Sequence, residues 1–574
     1  MKENKVYNEN EEKMNTLSNS AFKVSSRDEI PFYIAGVLDV SENIYDKGLE
    51  FLKEDKSFAI LYNIFLELYN YIEKNNIKAF TFMLEENYVD RVYRDSYYFY
   101  FAGKHFCYSR FCKRIFLFAN IYEKPILDMD SNELEKDFVG SIVIRPIPKR
   151  SVGRTLLNPK YFIGEWRCFI RMANYNLMAF GKKLAVAAFP YSMQDGETAT
   201  CAEVTILNLL DYYSRSYPEY HYLLPSDINR IAKDNGYERS LPTHGLKYEM
   251  ISKAFCESGF YPRLYSAKEM PKDKLRRILY YYVESGIPLS LGVSLGARNK
   301  HSIIVIGHGK LNIGEKSLKQ NLYACYDKKS GNVVWICDAA DAVDEFCIMD
   351  DAQMPYVLAK CELDEQCQLR LDKYTIETMM VPLYKRMYLE ASDASEIFKV
   401  ILASEEYGVK YLDFKNIENE KLGSQEKPIV VRIFMTSSRS LRKCRDKQFA
   451  DGNTEVRTWY STTVFPKFVW VCELSTVDMY SKKVIGEIIL DATSSADANV
   501  DSLIIAHYPK RIFCRLPQDI GKGKIEVGTH DTMENEDDDV KFYKICEWQP
   551  FLPYDSNLYP TKKKAKKMNR KLKN

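Results

Sequence analysis

The sequence predicts an α+β protein built from several domains. The chain has 574 residues, of which 46% are hydrophobic, and this is enough apolar material for about three packed cores. Apolar residues recur at helical spacing in some segments, whereas other segments are short β-type runs. The 81 basic and 79 acidic side chains leave a formal charge of +2, which argues against a nucleic-acid surface along the whole chain.

Changes in composition divide the chain into five parts. Residues 1–28 are rich in Asn, Glu and Ser and are predicted to be disordered. We expect an N-terminal α+β domain at 29–175, a central domain at 176–362 and a C-terminal α+β domain at 374–555. Residues 556–574 form a basic tail, also predicted to be disordered, for which an anionic partner and a role in solubility are both open.

The N-terminal domain opens with an amphipathic pattern that predicts a helix over 57–73. Residues 140–148 predict a strand that ends in a proline-defined turn. The segment 88–122 is dense in Tyr and Phe, which favours an aromatic core over a ligand or nucleic-acid site. That second interpretation depends on a small basic cluster within the segment, formed by Arg110, Lys113 and Arg114.

The C-terminal domain combines helical and β-type patterns. Residues 379–402 predict one or two helices, broken near Ser392 and Asp393. Three strand-like runs follow and predict a sheet with one covered face, at 428–435, 468–474 and 484–491. A basic segment after the first run is predicted to be a solvated loop rather than a ligand site, with Arg439, Arg442, Lys443 and Arg445.

In the central domain, Cys201 stands at the head of a strongly periodic apolar run. Thr200 and Glu203 have the Thr-x-x-Glu spacing of a capping box, so a helix is predicted to begin here with Cys201 in its first turn. The positive end of the helix dipole favours a thiolate there, but it contributes only about 0.3–1 kcal/mol. A nucleophilic cysteine therefore also needs an imidazole partner.

The best partner among the seven histidines is His301, which lies between the β-type runs 287–293 and 303–307. A histidine at the start of a strand can be held rigidly at the end of a sheet with its ring facing a cleft. His308 is the alternative base. Since seven strand residues span about 23 Å, the two histidines cannot both reach Cys201, and His308 is predicted to be structural.

Two further β-type runs, 333–337 and 345–349, follow His301, and the second ends in Asp350 and Asp351. A carboxylate there could accept the second ring N–H of the histidine and fix its tautomer. Asp350 is favoured because it follows the strand directly, whereas Asp351 leads into a turn. A turn without a catalytic role remains the alternative for both residues.

In this order, the residues resemble papain-like cysteine peptidases, and the layout is closest to the C39-like branch. The resemblance covers roughly 180–360 and includes segments 241–246 and 259–261. It implies a papain-like core flanked by two accessory α+β domains. It also implies four roles: oxyanion stabilisation by Gln194, nucleophilic attack by Cys201, acid–base catalysis by His301 and orientation of the imidazole by Asp350. Gln194 lies seven positions before Cys201, slightly further than in papain, and an ordinary loop amide is the alternative.

We therefore expect a thiol protease that hydrolyses peptide or isopeptide bonds in a protein or peptide substrate. An acyltransferase with the same thioester chemistry and a catalytically silent papain-fold scaffold remain alternatives. The fourteen cysteines lack CxxC spacing, which fits free thiols in the cytoplasm and predicts neither a metal site nor a disulfide framework. The sequence predicts no cofactor, signal peptide or membrane span, and it has no P-loop, dinucleotide-binding or HExxH motif.

Overall fold

The computed structural model is a mixed α/β protein that contains a closed six-stranded barrel. It describes residues 21–39, 55–122, 124–163, 168–234, 241–243, 245–296, 299–311, 322–326, 331–366, 368–412, 423–425, 427–448, 454–480, 483–508, 511–515 and 527–529. The predicted basic tail, residues 1–20 of the predicted disordered segment and His244 lie outside these ranges.

The described chain contains runs of helices and runs of strands. The helices are α1 (Ile30–Val37), α2 (Lys56–Lys74), α3 (Arg91–Phe99), α4 (Ser131–Asp137), α5 (Cys201–Ser216), α6 (Pro225–Asp234), α7 (Tyr248–Glu257), α8 (Lys272–Glu284), α9 (Ala391–Ala403), α10 (Ser438–Gln448) and α11 (Thr454–Thr462). The strands are β1 (Ala21–Val24), β2 (Phe80–Tyr88), β3 (Cys112–Phe118), β4 (Phe138–Ile144), β5 (Val152–Leu157), β6 (Cys168–Ile170), β7 (Ala173–Ala179), β8 (Lys182–Ala188), β9 (Tyr261–Ser266), β10 (Leu289–Leu295), β11 (Asn299–Gly309), β12 (Leu322–Tyr326), β13 (Val333–Asp338), β14 (Glu345–Met349), β15 (Val357–Leu363), β16 (Leu369–Leu371), β17 (Tyr374–Leu383), β18 (Ile429–Ser437), β19 (Phe468–Thr476), β20 (Gly486–Asp491), β21 (Leu503–Tyr508), β22 (Arg511–Arg515) and β23 (Val527–Thr529).

The first sheet is antiparallel, in the order β1-β2-β3-β4-β5. The predicted helix is confirmed as α2, which Asp55 caps by accepting the Ser57 N–H at 2.8 Å. The predicted strand is confirmed as β4. The prediction of disorder over 1–28 is wrong for its last part. Strand β1 begins at Ala21 and pairs with β2, and its Val24 is buried.

The aromatic segment forms a small core of its own around Tyr93 and Phe101. Within its basic cluster, Arg114 is buried and its Nη2 lies 2.6 Å from Glu85 Oε2. Lys113 Nζ lies 2.7 Å from Asp39 Oδ1. These two cations are therefore occupied by internal ion pairs, which fits the predicted aromatic core better than a nucleic-acid site.

The barrel closes because β10 pairs with β11 on one side and with β17 on the other. Its strand order is β10-β11-β14-β15-β16-β17, with β9 added beside β17 and β6 beside β11. Helix α5 packs against β11 of this barrel. Strands β6 and β17 lie outside the predicted central domain of 176–362, so this sheet crosses both of its predicted boundaries.

The third sheet has the order β12-β13-β18-β19-β20-β21-β22-β23, and its three predicted strands are confirmed as β18, β19 and β20. The run 333–337, which lies within the predicted central domain, forms β13 of this sheet and pairs in parallel with β18. The prediction of one covered face is also wrong. One face joins the main core, and α10 and α11 cover the other, which buries Val469 and Val471.

Two local predictions in this region are corrected by the structure. The segment 379–402 begins as strand β17, and its only described helix is α9, which contains Ser392 and Asp393 near its start instead of breaking there. The predicted basic loop is helix α10. Its Arg445 is fully buried and forms ion pairs with Glu473 and Glu487 of the third sheet. These ion pairs join the helix to the sheet.

A single large core connects the first sheet, the barrel and one face of the third sheet. A buried charged cluster adds to this connection: Glu284 at the end of α8 accepts from Arg432 of β18 at 2.6 Å, while Arg432 also donates to Glu473 at 2.7 Å. None of the helices in the described ranges combines the length and the apolar character needed to cross a lipid bilayer.

Candidate active site

Cys201 is the first residue of α5 and is partly exposed. The predicted capping box is present: Glu203 accepts the Thr200 backbone N–H at 3.1 Å. The other carboxylate oxygen of Glu203 accepts the Thr243 hydroxyl at 2.5 Å. This carboxylate fixes the start of the helix, so Cys201 lies in its first turn, at the positive end of the helix dipole.

The loop before the nucleophile is held by Asp195. Its Oδ1 accepts the backbone N–H groups of Glu197, Thr198 and Ala199 at 2.8, 2.7 and 2.9 Å. Three such bonds to one carboxylate oxygen close the loop on itself and define the path from Gln194 to Cys201.

Helix α3, which lies between β2 and β3 in the chain, and the turn after it contact this same loop. Glu197 Oε2 accepts from the Tyr100 hydroxyl and from Lys104 Nζ, both at 2.7 Å. Thr198 donates its hydroxyl to Ser96 Oγ at 3.1 Å. The N-terminal part of the chain therefore helps to position the loop before Cys201. No sequence pattern indicated this, because the partners are nearly a hundred positions apart.

His301 lies near the start of β11, and its ring is between Cys201 and Asp350. Its Nε2 is 2.8 Å from Asp350 Oδ1, and the Cys201 side chain interacts with the ring and favours its protonated form. Since Nε2 faces the carboxylate, Nδ1 is the nitrogen left for the sulfur. Burial disfavours a charged ring, but the bond to Asp350, the interaction with Cys201 and the nearby carboxylates outweigh it and raise the pKa of His301 to about 10.

Asp350 follows β14 and its side chain is fully buried. Besides His301, its oxygens accept from Ala352 N at 2.9 Å, Gln353 Nε2 at 2.5 Å and the Tyr374 hydroxyl at 2.6 Å. Burial acts to raise the pKa of Asp350. The hydrogen bond and positive charge of His301 outweigh burial, and the hydrogen bonds from Tyr374 and Gln353 act in the same direction, so the pKa lies well below its usual range. Asp350 is thus an ionised carboxylate whose partners are all donors.

Gln353 and Tyr374 are site residues that the sequence did not indicate as such. Gln353 is three positions after Asp350, a spacing typical of turns, and this was the available signal. Tyr374 begins β17, and its ring also lies beside His301, with centroids 5.8 Å apart. No local signal could have identified Tyr374, because only closure of the barrel brings it to Asp350.

Asp351 is buried next to the pair but is held differently. Its Oδ1 lies 3.3 Å from His301 Nε2 without a hydrogen bond, and its Oδ2 accepts the Gln194 backbone N–H at 3.3 Å. Burial raises the pKa of Asp351, and the negative charge of Asp350 raises it further. The charge of His301 acts in the opposite direction, and the resulting pKa is about 6. Of the two adjacent acids, Asp350 is the one that hydrogen-bonds the imidazole.

Gln194 lies beside this group through its backbone. Its N–H donates to Asp351, the residue next to Asp350 in sequence. The loop that carries Gln194 therefore reaches the same end of the barrel as His301. Within the described residues, the Gln194 side-chain amide makes no hydrogen bond, which leaves it available to a ligand.

His308 is separate from the site. It is buried, its Nδ1 donates to the Gly309 carbonyl at 2.7 Å, and its Nε2 lies 2.6 Å from Glu284 Oε2. Both ring nitrogens are therefore occupied within the cluster that joins the barrel to the third sheet. His308 has the structural position that its spacing from His301 predicted.

One donor atom each of His301, Asp350 and Asp351 lies within 4.8 Å of the others, which is a spacing that a metal ion could use. However, both Asp350 oxygens already accept hydrogen bonds from four donors. A metal would have to displace several of these bonds. The arrangement is better suited to orient an imidazole than to hold an ion.

No protein-family model matches this chain, and no curated protein matches it either. The chemical capacity of the site therefore rests on its own geometry. A thiol at a helix start, an imidazole between that thiol and an ionised carboxylate, and a nearby loop amide are the parts needed for acyl transfer through a thioester.

Proposed function

We propose that the chain is a papain-like cysteine hydrolase that cleaves peptide or isopeptide bonds through a thioester at Cys201. The observation that carries the proposal is the position of the His301 ring, which lies 2.8 Å from the buried Asp350 carboxylate and interacts with the Cys201 side chain. Cys201 and His301 are 100 positions apart in sequence, so their meeting is a property of the fold.

The fold supports the same proposal. The helix that begins with Cys201 packs against an antiparallel barrel, and that barrel carries His301 on β11 and Asp350 just after β14. The resemblance of the sequence to papain-like peptidases implies such an arrangement of nucleophile, histidine and acid. The first and third sheets would then be accessory units, and the first sheet additionally supports the loop before Cys201 through Glu197.

In the first half of the reaction, His301 holds a proton and Cys201 acts as the thiolate. The sulfur attacks the acyl carbon of the substrate, a C–S bond forms, and the carbonyl electron pair moves onto oxygen. The backbone N–H of Cys201 and the Gln194 amide would stabilise that oxyanion. When the intermediate collapses, the C–N bond breaks and the leaving amine takes the proton from His301.

In the second half, a water molecule resolves the thioester. The neutral His301 takes a proton from the water as its oxygen attacks the acyl carbon. Collapse then expels the Cys201 thiolate, releases the acid and restores the starting ion pair. Asp350 keeps the imidazole in one orientation through both halves.

Two alternatives share parts of this proposal. If an amine replaces water in the second half, the same site is an acyltransferase. If the fold is used only as a binding scaffold, no acyl-enzyme forms. The Cys201 thiol distinguishes the scaffold, because a scaffold has no reason to keep this cysteine more reactive than other exposed ones.

The test uses the full chain with proteome-derived peptides and with branched peptides that contain a lysine isopeptide bond, and it reads cleavage by mass spectrometry. We expect cleavage by the wild type, none by Cys201→Ala or His301→Ala, and wild-type cleavage by Cys107→Ala, which removes an exposed thiol elsewhere. Iodoacetamide should label Cys201 faster than Cys107. Equal labelling together with no cleavage would reject the hydrolase in favour of the scaffold, and products joined to an added amine would indicate acyl transfer.

A further inference from the structure

A pocket of about 730 Å³ lies at the end of α5 opposite to Cys201. It is lined by Glu219 and Tyr220 just after that helix, by Tyr261 at the start of β9, and by the segment that links β17 to α9. Because α5 has 16 residues, about 24 Å of helix separates this pocket from the nucleophile. The pocket is therefore not the site where an acyl group would react.

The pocket is rich in basic side chains. His221, Lys385, Arg386 and Lys467 line it, against one carboxylate, Glu219. Lys467 pairs with that carboxylate at 3.1 Å. Within the described ranges, the side chains of the other three make no hydrogen bond or ion pair. The pocket thus carries positive charge that the described protein does not neutralise.

The backbone that presents two of these cations is itself unusual. The Tyr384 carbonyl accepts the Met387 N–H at 3.1 Å, which closes a β-turn with Lys385 and Arg386 at its centre. Arg386 has a φ of 70°, and glycine is the favoured residue at a turn position with positive φ. An arginine therefore occupies a backbone conformation that is strained for residues other than glycine, and it lines the pocket.

Aromatic surface lies beside the charges. Tyr220 and Phe260 stack with ring centroids 4.0 Å apart and form one wall. Tyr261 is 56% exposed at the same pocket. The volume falls within the usual range of sites for small organic ligands, roughly 300–1,000 Å³. Arginine and lysine together are the side chains that most often bind phosphate oxygens.

We propose that this pocket is a binding site for a small phosphate-bearing molecule. The phosphate oxygens would accept hydrogen bonds from Lys385 and Arg386, and a planar part of the ligand would lie against Tyr261. This site is distinct from the proposed active site, and the inference does not depend on that site being catalytic.

Cys256 provides a reporter, because it lines the pocket and is exposed. The full chain is alkylated with iodoacetamide at constant ionic strength, alone, with inorganic phosphate or with adenosine monophosphate, and peptide mass spectrometry follows Cys256. Cys107, which is also exposed but lies outside this pocket, is the internal reference.

We expect both phosphate compounds to slow alkylation of Cys256 without affecting Cys107. Protection at lower concentrations of adenosine monophosphate would identify an organic phosphate as the ligand class, whereas equal protection would identify the free ion. Unchanged alkylation of Cys256, or an equal slowing of Cys107, would overturn the proposal.

Three variants make the test specific. Lys385→Ala and Arg386→Gly should each weaken protection by about tenfold or more, because each removes a charged hydrogen bond to the ligand. Glycine suits the positive φ at position 386, so Arg386→Gly should lose binding while its melting temperature does not fall. Lys360→Ala, at an exposed position of β15 outside the pocket, is the matched control and should bind as the wild type does. Full protection in the Lys385→Ala/Arg386→Gly double variant would also overturn the proposal.

Discussion

The Nε2 atom of His301 lies 2.8 Å from Asp350 Oδ1, half an ångström closer than the 3.3 Å that separates it from Asp351 Oδ1. The shorter contact is a hydrogen bond, and Asp351 Oδ1 has no hydrogen-bond partner. Two adjacent carboxylates thus have different relationships to the same imidazole. Asp350 can fix the orientation of the imidazole, whereas Asp351 hydrogen-bonds the loop that carries Gln194.

The first prediction compares Asp350→Asn with Asp351→Asn. All four partners of Asp350 are donors, so an amide NH₂ at this position faces a donor in either orientation. We expect a loss on the order of 10⁴ in kcat for Asp350→Asn, because the imidazole loses its orienting acceptor. Asp351→Asn should retain most of the activity. Peptide cleavage rates measure both, and a large loss confined to Asp351→Asn would transfer the orienting role.

The second prediction concerns Tyr374, whose hydroxyl donates to Asp350 at 2.6 Å. Tyr374→Phe keeps the ring beside His301 and removes only this donor. The free energy of unfolding should fall by about 1.5–3 kcal/mol, the usual contribution of a hydrogen bond to a charged group. Thermal and denaturant unfolding would measure it. Tyr326→Phe, which alters an exposed tyrosine elsewhere, is the control and should change stability little. If both variants changed the free energy of unfolding equally, the Tyr374–Asp350 hydrogen bond would not contribute to the stability of the site.

The third prediction is the alkaline limit of activity. The proposed reaction needs a protonated His301, and the pKa of this residue is raised from 6.5 to about 10. The protonated form therefore persists through neutral pH, and kcat/KM should fall only as the pH approaches about 10. A pH–rate profile tests this. Asp350→Asn should move the alkaline limb to lower pH because it removes the negative charge that favours the imidazolium. A wild-type limb near pH 6.5 would contradict the ion-pair form.

The fourth prediction uses the pH dependence of stability. The folded-state pKa of Asp351 is raised from 3.8 to about 6. Its contribution to stability is fully present below pH 3.8 and is lost as the pH rises through about 6, since the buried carboxyl must then ionise. Relative to wild type, Asp351→Asn should therefore gain on the order of 3 kcal/mol between those pH values. Urea unfolding of both proteins from pH 4 to 7 would show it, and a constant difference would place the Asp351 pKa near its usual value.

Two parts of the site, the start of α5 and the strand before Asp350, could be predicted because interactions between residues near each other in sequence form them. The capping box of Thr200 and Glu203 lies within four residues, and it fixes the helix start and the position of Cys201 wherever α5 packs. Likewise, the apolar run before Asp350 is sufficient to form a strand that ends at the carboxylate. The three strands predicted for the C-terminal domain, confirmed as β18, β19 and β20, were also predicted from local patterns.

The incorrect predictions concern partners rather than patterns. The run 333–337 is a strand, as its residues favour, but its pairing with β18 depends on which sheet edge it meets. Residues 379–383 carry an apolar pattern that suits a helix or a buried strand, and the neighbouring β10 and β9 decide for the strand. The basic segment of α10 looked solvated because nothing nearby in sequence shows that Glu473 and Glu487 neutralise Arg445.

By itself, the sequence determined the helix that begins at Cys201, the strands around it and the residue types needed for thiol chemistry, because hydrogen bonds and apolar periodicity over a few residues specify these features. Only the tertiary structure decided that His301 faces Cys201, that Asp350 rather than Asp351 bonds the ring, and that Tyr374 completes the group. Those contacts join residues 24 to 100 positions apart and depend on the pairing of strands and on the packing of α5 against β11, so no local interaction could specify them.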